Sequence, residues 1–257
     1  MIDLTGKLAV VTGGAQGIGA ATSARLAASG ADVVIADARP DAAEATAAEL
    51  NSKAGGGAGT VHARPVDVAD SASVRALVES VTAEFGRLDI WVNNAGVVED
   101  SPAVDLADEV WQRTIDIDLT GTFYGAREAG RFMCANGGGS IVNISSIAAF
   151  RATRPEHHVA YDVSKAAVAH MAKVLASEWA EKRVRVNAVA PGYTNTEILK
   201  GVGSADPATM ELWLSQVPEH RLIEPSEIAN VIAFLVSDAA SAITGQVVHA
   251  DAGYTAW

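Results

Sequence analysis

Tyr161 and Lys165 stand four positions apart in the segment YDVSK. On a helix, positions i and i+4 share a face, so this phenol and this ammonium would address one point. A phenol ordinarily titrates near pH ~10, too high for a base at neutral pH. A neighbouring ammonium stabilises the phenolate and brings proton transfer within reach. Taken alone, the same pair also fits an ordinary contact on a helix surface.

A second constellation lies near the start of the chain. TGGAQGIG (12–19) follows the apolar run KLAVVT and precedes an alanine-rich stretch. A glycine-rich turn between a strand and a helix is where a dinucleotide pyrophosphate meets backbone N–H groups and the helix dipole. Gly13 suits the tight turn, Gly17 the close approach of phosphate, and Gly19 the packing of helix on strand. Asp37 closes the next apolar run, 18 residues after Gly19, where an acid bonds the adenosine ribose hydroxyls. Its charge opposes a 2′-phosphate, and Gln16 stands in the turn where a basic residue would favour one. Arg39 points mildly the other way. The plainer reading is that Asp37 caps the helix after Pro40. Position favours cofactor binding, with NAD preferred over NADP.

The elements that must hold these groups alternate along the whole chain. Strand-like runs at 7–13, 31–37, 60–67, 87–96, 140–146, 184–191 and 246–251 are separated by helical stretches, among them 20–30, 41–50, 71–85 and 161–180. GGGAG (55–59) reads as a loop. Such alternation implies parallel pairing through right-handed crossovers, and so an α/β fold: one doubly wound Rossmann domain, 1–257, with a seven-stranded parallel sheet flanked by helices. The span 193–221 lacks a strand and reads as a helical excursion or a lid over the site.

Composition removes several classes of function. A net charge of −12 argues against nucleic acid and against an anionic membrane surface as partners. The N-terminus carries no basic segment of a signal peptide. No apolar run approaches the roughly 20 residues of a membrane helix. Cys134 is the one cysteine, which excludes an internal disulfide and a cysteine-held metal cluster and suits a cytoplasmic location. His157 and His158 are adjacent rather than spaced along a helix face, and no metal is expected.

The glycine turn, NNAG at 93–96, YxxxK at 161–165 and PG at 191–192 occur in one order over one length. Together they resemble the short-chain dehydrogenase/reductase family, and the likeness covers essentially the whole chain. The resemblance implies Tyr161 as acid/base, Lys165 as its modulator and a ligand of the nicotinamide ribose, and Ser146 as the holder of the substrate oxygen, with Ser145 the near alternative. It implies cofactor contacts from Gly13, Gln16, Gly17, Ile18 and Gly19, and from Tyr161 as well as Lys165. Asp67 and Val68 would lie at the adenine, and Asn94, Ala95 and Gly96 along the cofactor. Pro191 and Gly192 would lead to Thr194 and Thr196 at the carboxamide and phosphates. One position departs from the family: Asp118 stands where an asparagine is usual. In the family that residue's main chain holds a water that links the lysine to solvent. A backbone role survives the change, whereas a carboxylate near Lys165 would alter the pH dependence.

Tyr161 follows Ser146 by 15 positions, two more than is typical of the family. The intervening loop carries Arg151, Arg154, Pro155, Glu156, His157 and His158. With the C-terminal GYTAW, it resembles the polyol and sugar-alcohol dehydrogenase branch. A polar loop suits a small-molecule substrate with several hydroxyls, each needing a partner once desolvated; a solvated surface loop is the plainer alternative. The competing activities are a 3-oxoacyl or steroid-type ketone reductase and, outside enzymes, a catalytically idle NAD-binding sensor or scaffold. The resemblance further implies a homotetramer, with the helices starting near Asp108 and Tyr161 at its interfaces.

Overall fold

The computed structural model describes residues 2–197, 199 and 206–257. The apolar runs form β1 (Leu8–Thr12), β2 (Asp32–Asp37), β3 (Val61–Pro65), β4 (Ile90–Asn93), β5 (Gly139–Ile144), β6 (Val184–Pro191) and β7 (Val247–Ala250). All pair in parallel, in the order β3-β2-β1-β4-β5-β6-β7. β1, β2, β4 and β5 are buried almost throughout, as strands covered by helices on both faces must be.

Side chains alternate across the sheet into two cores. Ala9, Val11, Val33 and Ile35 meet α1 (Gly17–Ala28), α2 (Pro40–Ser52) and the helix Pro225–Val236 on one face. Leu8, Val10, Val34 and Trp91 meet α3 (Ser71–Phe85), α5 (Gly121–Ala135) and α6 (Val159–Trp179) on the other. The helix boundaries have local causes. The Asp70 side chain accepts from the Ala72 amide at 2.8 Å to open α3, and Gly86 closes it at φ 71°. The helix Pro225–Val236, absent from the stretches singled out above, starts with Pro225 and a Glu224/Glu227 capping box.

The strand order reverses between β1 and β4, so the turns after those strands face one crevice. Between β4 and β5, α4 (Asp108–Thr114) runs into a π-helical segment, Ile115–Thr120, and then into α5. Such wide turns concentrate at functional sites. Asp118 lies within it. Of the span 193–221, residues 198 and 200–205 lie outside the described residues. The rest contains the helix Pro207–Gln216 and a single bridge from Thr194 to Ile223.

Candidate active site

β5 ends at Ile144, and the chain turns through Ser145 and Ser146 before α6 begins at Val159. The two serines are used differently. Ser145 Oγ donates to the Lys165 carbonyl at 2.8 Å, fastening the turn to α6, and its side chain is spent. Ser146 Oγ accepts from the Ala148 amide at 3.2 Å, which leaves its own proton uncommitted among the described residues. Of the two, Ser146 is therefore the one free to hold a substrate oxygen.

Tyr161 and Lys165 lie in the first two turns of α6, as their spacing predicts. Lys165 Nζ sits 5.2 Å from the centre of the Tyr161 ring and donates to the Ile144 carbonyl at 3.2 Å. Asp118 Oδ2 lies 3.2 Å from the same ammonium, without the alignment of a good hydrogen bond. Asp118 Oδ1 accepts from the Val97 amide at 2.8 Å, and the residue is fully buried. Burial by itself would lower the Lys165 pKa, but the Asp118 carboxylate and the Tyr161 oxygen outweigh it. The net effect raises that pKa above the ordinary lysine value. The side chain of Asp118 is thus engaged with Lys165, beyond the main-chain role expected of this position; its carbonyl accepts from Thr122 Oγ1 at 2.7 Å. Gly96 explains itself here. A Cβ on it would lie 3.2 Å from both Asp118 Oδ2 and Lys165 Nζ, so a side chain would crowd the ion pair.

The crevice beside this group is lined mostly by backbone. Gly13, at φ 62°, passes so close to Ala95 that a Cβ would come within 2.8 Å of the Ala95 Cα. A Cβ on Gly19 would fall 2.2 Å from the Gly13 carbonyl oxygen. Asn94 Nδ2 donates to the carbonyls of Thr12 and Gly13, while Thr12 Oγ1 accepts from the amides of Asn94 and Ala95. Thr12 opens TGGAQGIG, but spacing alone assigns it no contact; its tie to the turn after β4 depends on the pairing of β1 with β4. Gly17 faces Thr196, whose Cγ2 would stand 3.3 Å from an added Cβ; Ile18 follows, half-buried on α1. Thr194 is buried, with its hydroxyl on the Gly192 carbonyl at 2.8 Å. Pro191 ends β6, and Gly192 donates to the Ala250 carbonyl at 3.0 Å.

Two observations make this crevice fit a dinucleotide. The Gln16 side chain does not cap α1, and no acid sits in the helix's first turn, so the amides there are available to an anion. The Asp37 carboxylate lies buried at the end of β2, accepting from the amides of Ala15 (3.2 Å) and Arg39 (3.0 Å). It does not cap α2, whose N-cap is Arg39 with no side-chain cap. The Arg39 guanidinium bridges Asp37 Oδ1 (3.3 Å) and Gln16 Oε1 (3.1 Å). Further along, Asp67 is exposed and lines a recess of about 740 Å³ together with Ala38 and Arg64. Val68 lies at the base of α5, 3.0 Å from where a Gly121 Cβ would be.

The loop between Ser146 and Tyr161 does not present its charged residues alike. Arg154 and His157 are exposed, whereas His158 is half-buried with its ring edge-on to Tyr161 at 5.4 Å. His158 Nδ1 lies 2.6 Å from Asp162 Oδ1. Burial works to lower the His158 pKa, but the bond and charge of Asp162 prevail and raise it. Arg151 packs over the Tyr254 ring and donates to the Tyr254 carbonyl, which ties GYTAW to this loop. Glu156 turns inward and accepts from Trp213 Nε1.

The model of the family described as Enoyl-(Acyl carrier protein) reductase matches residues 13–255. The chain is 43% identical over 252 residues to the D-threitol dehydrogenase of Mycolicibacterium smegmatis, covering 98% of this chain and 94% of that one. It is 41% identical over 256 residues to the Galactitol 2-dehydrogenase of Rhizobium johnstonii, covering 99% and 97%. The crystal structure of a Beutenbergia cavernae protein, described as an NAD(P)-dependent gluconate 5-dehydrogenase and holding NADP, superposes with a TM-score of 0.92. There the identity is 34%, with 99% of each chain covered. The chain belongs to the short-chain dehydrogenase/reductase family. As a member of that family it is an oxidoreductase of nicotinamide cofactors. Against the family's usual asparagine, Asp118 puts a charge beside the lysine.

Proposed function

We propose that this short-chain dehydrogenase/reductase interconverts a secondary alcohol, a polyol or sugar-derived one, and its ketone, with NAD as cofactor and Tyr161 as acid/base. The observation that carries the reading is the Tyr161 ring held against the buried Lys165 ammonium, with a Ser146 hydroxyl whose proton is uncommitted in the turn that Ser145 ties to α6.

In this reading Gly13, Gln16, Gly17, Ile18 and Gly19 hold the pyrophosphate, Asp37 the adenosine ribose, and Asp67 and Val68 the adenine. Asn94, Ala95, Gly96, Pro191, Gly192, Thr194 and Thr196 line the nicotinamide half, with Lys165 on its ribose. When bound, the cofactor supplies the hydride acceptor for the alcohol carbon. Ser146 holds the substrate oxygen, and Tyr161 takes its proton as the carbon is oxidised. Lys165 favours the phenolate that can accept that proton, and Asp118 offsets part of the lysine's charge.

Supporting NAD is the buried Asp37 carboxylate that closes β2, a strand-end acid of the kind that opposes a 2′-phosphate. Arg39, with its side chain 54% exposed, is the group that would favour NADP. A second reading, a 3-oxoacyl or steroid-type ketone reductase, draws on the 39% identity over 255 residues to the 3beta-hydroxysteroid dehydrogenase 1 of Eggerthella lenta. Polyols, 3-oxoacyl thioesters and steroids, each assayed with NAD and NADP through nicotinamide absorbance, separate these readings. The expected result is NAD-linked polyol oxidation; thioester or steroid turnover without any polyol turnover would replace the reading with the second one.

A homotetramer accords with half-exposed apolar side chains on the helical run that begins at Asp108 and continues into α5, and on α6: Trp111, Phe123, Val163 and Val174. The helix Pro207–Gln216 fits the described part of a lid. The free thiol of Cys134 suits a reducing, cytoplasmic compartment. No helix of the described residues is long and apolar enough to cross a membrane.

A further inference from the structure

Four stretches far apart in sequence meet just beyond Ser146. They are the loop after it (Glu156), the residue after PG (Tyr193), the helix Pro207–Gln216 (Trp213, Gln216) and the C-terminal tail (Tyr254). Ile147, next to Ser146, packs into the same cluster. Tyr193 stacks on Trp213 at 5.1 Å and 21°, and meets Tyr254 edge-on at 5.6 Å. These rings fix the Tyr193 hydroxyl in place, with the residue 9% exposed.

Most polar groups of the cluster are matched. Trp213 Nε1 donates to Glu156 Oε1, and Tyr254 Oη donates to Gln216 Oε1 at 3.2 Å. Two are not. Glu156 Oε2 and Tyr193 Oη are buried and close enough to act on one another, but among the described residues neither has a hydrogen bond of good alignment. Burial, and after it the charge of Glu156, pushes the Tyr193 phenol far above its ordinary pKa, so it stays neutral and keeps a proton to donate. Buried polar atoms are ordinarily paired, and an unmatched carboxylate oxygen beside an unmatched phenol calls for a group that both accepts and donates.

We propose that Glu156 and Tyr193 form a second hydroxyl-binding subsite, which takes a distal hydroxyl of a polyol while Ser146 and Tyr161 hold the reacting one. The distal hydroxyl gives its proton to Glu156 Oε2 and accepts from Tyr193 Oη. Trp213 orients the carboxylate. The negative charge also selects against a distal carboxylate or phosphate on the substrate. This inference rests on the polyol reading and adds the residues that enforce it.

The test compares a tetritol with sec-butanol, which shares the secondary alcohol but has no distal hydroxyl. Each is oxidised by the full-length enzyme, Glu156→Gln and Tyr193→Phe with NAD, and kcat and KM are measured separately. Glu156→Gln keeps the shape but sets a donor against the incoming hydroxyl, and Tyr193→Phe removes only the phenolic oxygen. A site built to hydrogen-bond a substrate group discriminates steeply against its loss. The tetritol-to-butanol ratio of kcat/KM is expected to fall at least about tenfold in each variant, mainly through the tetritol KM. An unchanged ratio in both, or equal losses on the two substrates, overturns the subsite while the wild-type preference for the tetritol upholds the polyol reading. A wild-type enzyme that oxidises sec-butanol and no tetritol overturns both.

Discussion

At the cofactor end of the crevice the surface is backbone: glycines at 13, 17 and 19, uncapped amides of α1, and Asn94 tying β4 to the turn after β1. At the substrate end it is side chain: Glu156, Tyr193, Trp213 and Tyr254, drawn from four separate stretches and stacked on one another. A backbone surface fits a ligand common to many enzymes and tolerates little change. A side-chain surface is replaced residue by residue, so one scaffold serves many alcohols. Between them stands the Tyr161–Lys165–Asp118 group, to which the proposed proton transfer belongs.

Changes at each part should differ in kind, and the largest effect belongs between the two ends. Tyr161→Phe is expected to lower kcat for alcohol oxidation by about a thousandfold, the scale of a lost acid/base. Fluorescence titration with NADH should show cofactor affinity nearly intact, because Tyr161 is no part of the glycine turn. Loss of binding in step with turnover would erase the separation of chemistry from the cofactor end.

Gly19→Ala probes the backbone surface. Its Cβ would lie 2.2 Å from the Gly13 carbonyl and 2.6 Å from Asn94 Nδ2, and neither can retreat without deforming the turn. The NADH dissociation constant should rise by about a hundredfold, roughly 2.7 kcal/mol. The tetritol-to-butanol ratio should hold. A variant that binds NADH normally would show that the turn is looser than its contacts suggest.

Asp37→Ala is milder, since the cofactor keeps its phosphate contacts. The preference for NAD over NADP in kcat/KM should narrow by about tenfold, through loss of the ribose bond and of the repulsion together. Arg39, released from Asp37, would then face the 2′-phosphate. An unaltered preference would move cofactor choice away from β2.

The same contrast explains how much the sequence tells. Local spacing sets the turn TGGAQGIG, and Tyr161 and Lys165 on one helix face, so these are legible in the order of the residues alone. Asp37 is legible as a strand-end acid, though not its hold on the Ala15 amide. Ser145 and Ser146 are indistinguishable as letters. Only the approach of α6 to β5 shows that Ser145 is committed to the Lys165 carbonyl. The loop 151–158 reads as polar, yet Glu156 turning inward depends on Trp213, 57 positions away. Nothing local announces that meeting. Asp118 stands out as a departure from a pattern, but the direction of its side chain is set by the π-helical turn and by the Val97 amide.

Asp118 offers the smallest effect and the most direct test of the central claim, that a lysine-tuned Tyr161 accepts the substrate proton. Its carboxylate lies 3.2 Å from Lys165 Nζ and holds the ammonium's pKa up, while offsetting the charge that Tyr161 feels. Removing that carboxylate leaves the ammonium's pull on the phenolate less compensated, so less alkaline conditions suffice for proton acceptance. The measurement is kcat for polyol oxidation against pH, for the wild type and Asp118→Asn. The alkaline rise of the variant should move to lower pH by about half a unit or more, each unit being worth ~1.4 kcal/mol. Superimposable profiles, or a rise displaced to higher pH, would contradict the account of how Tyr161 is tuned.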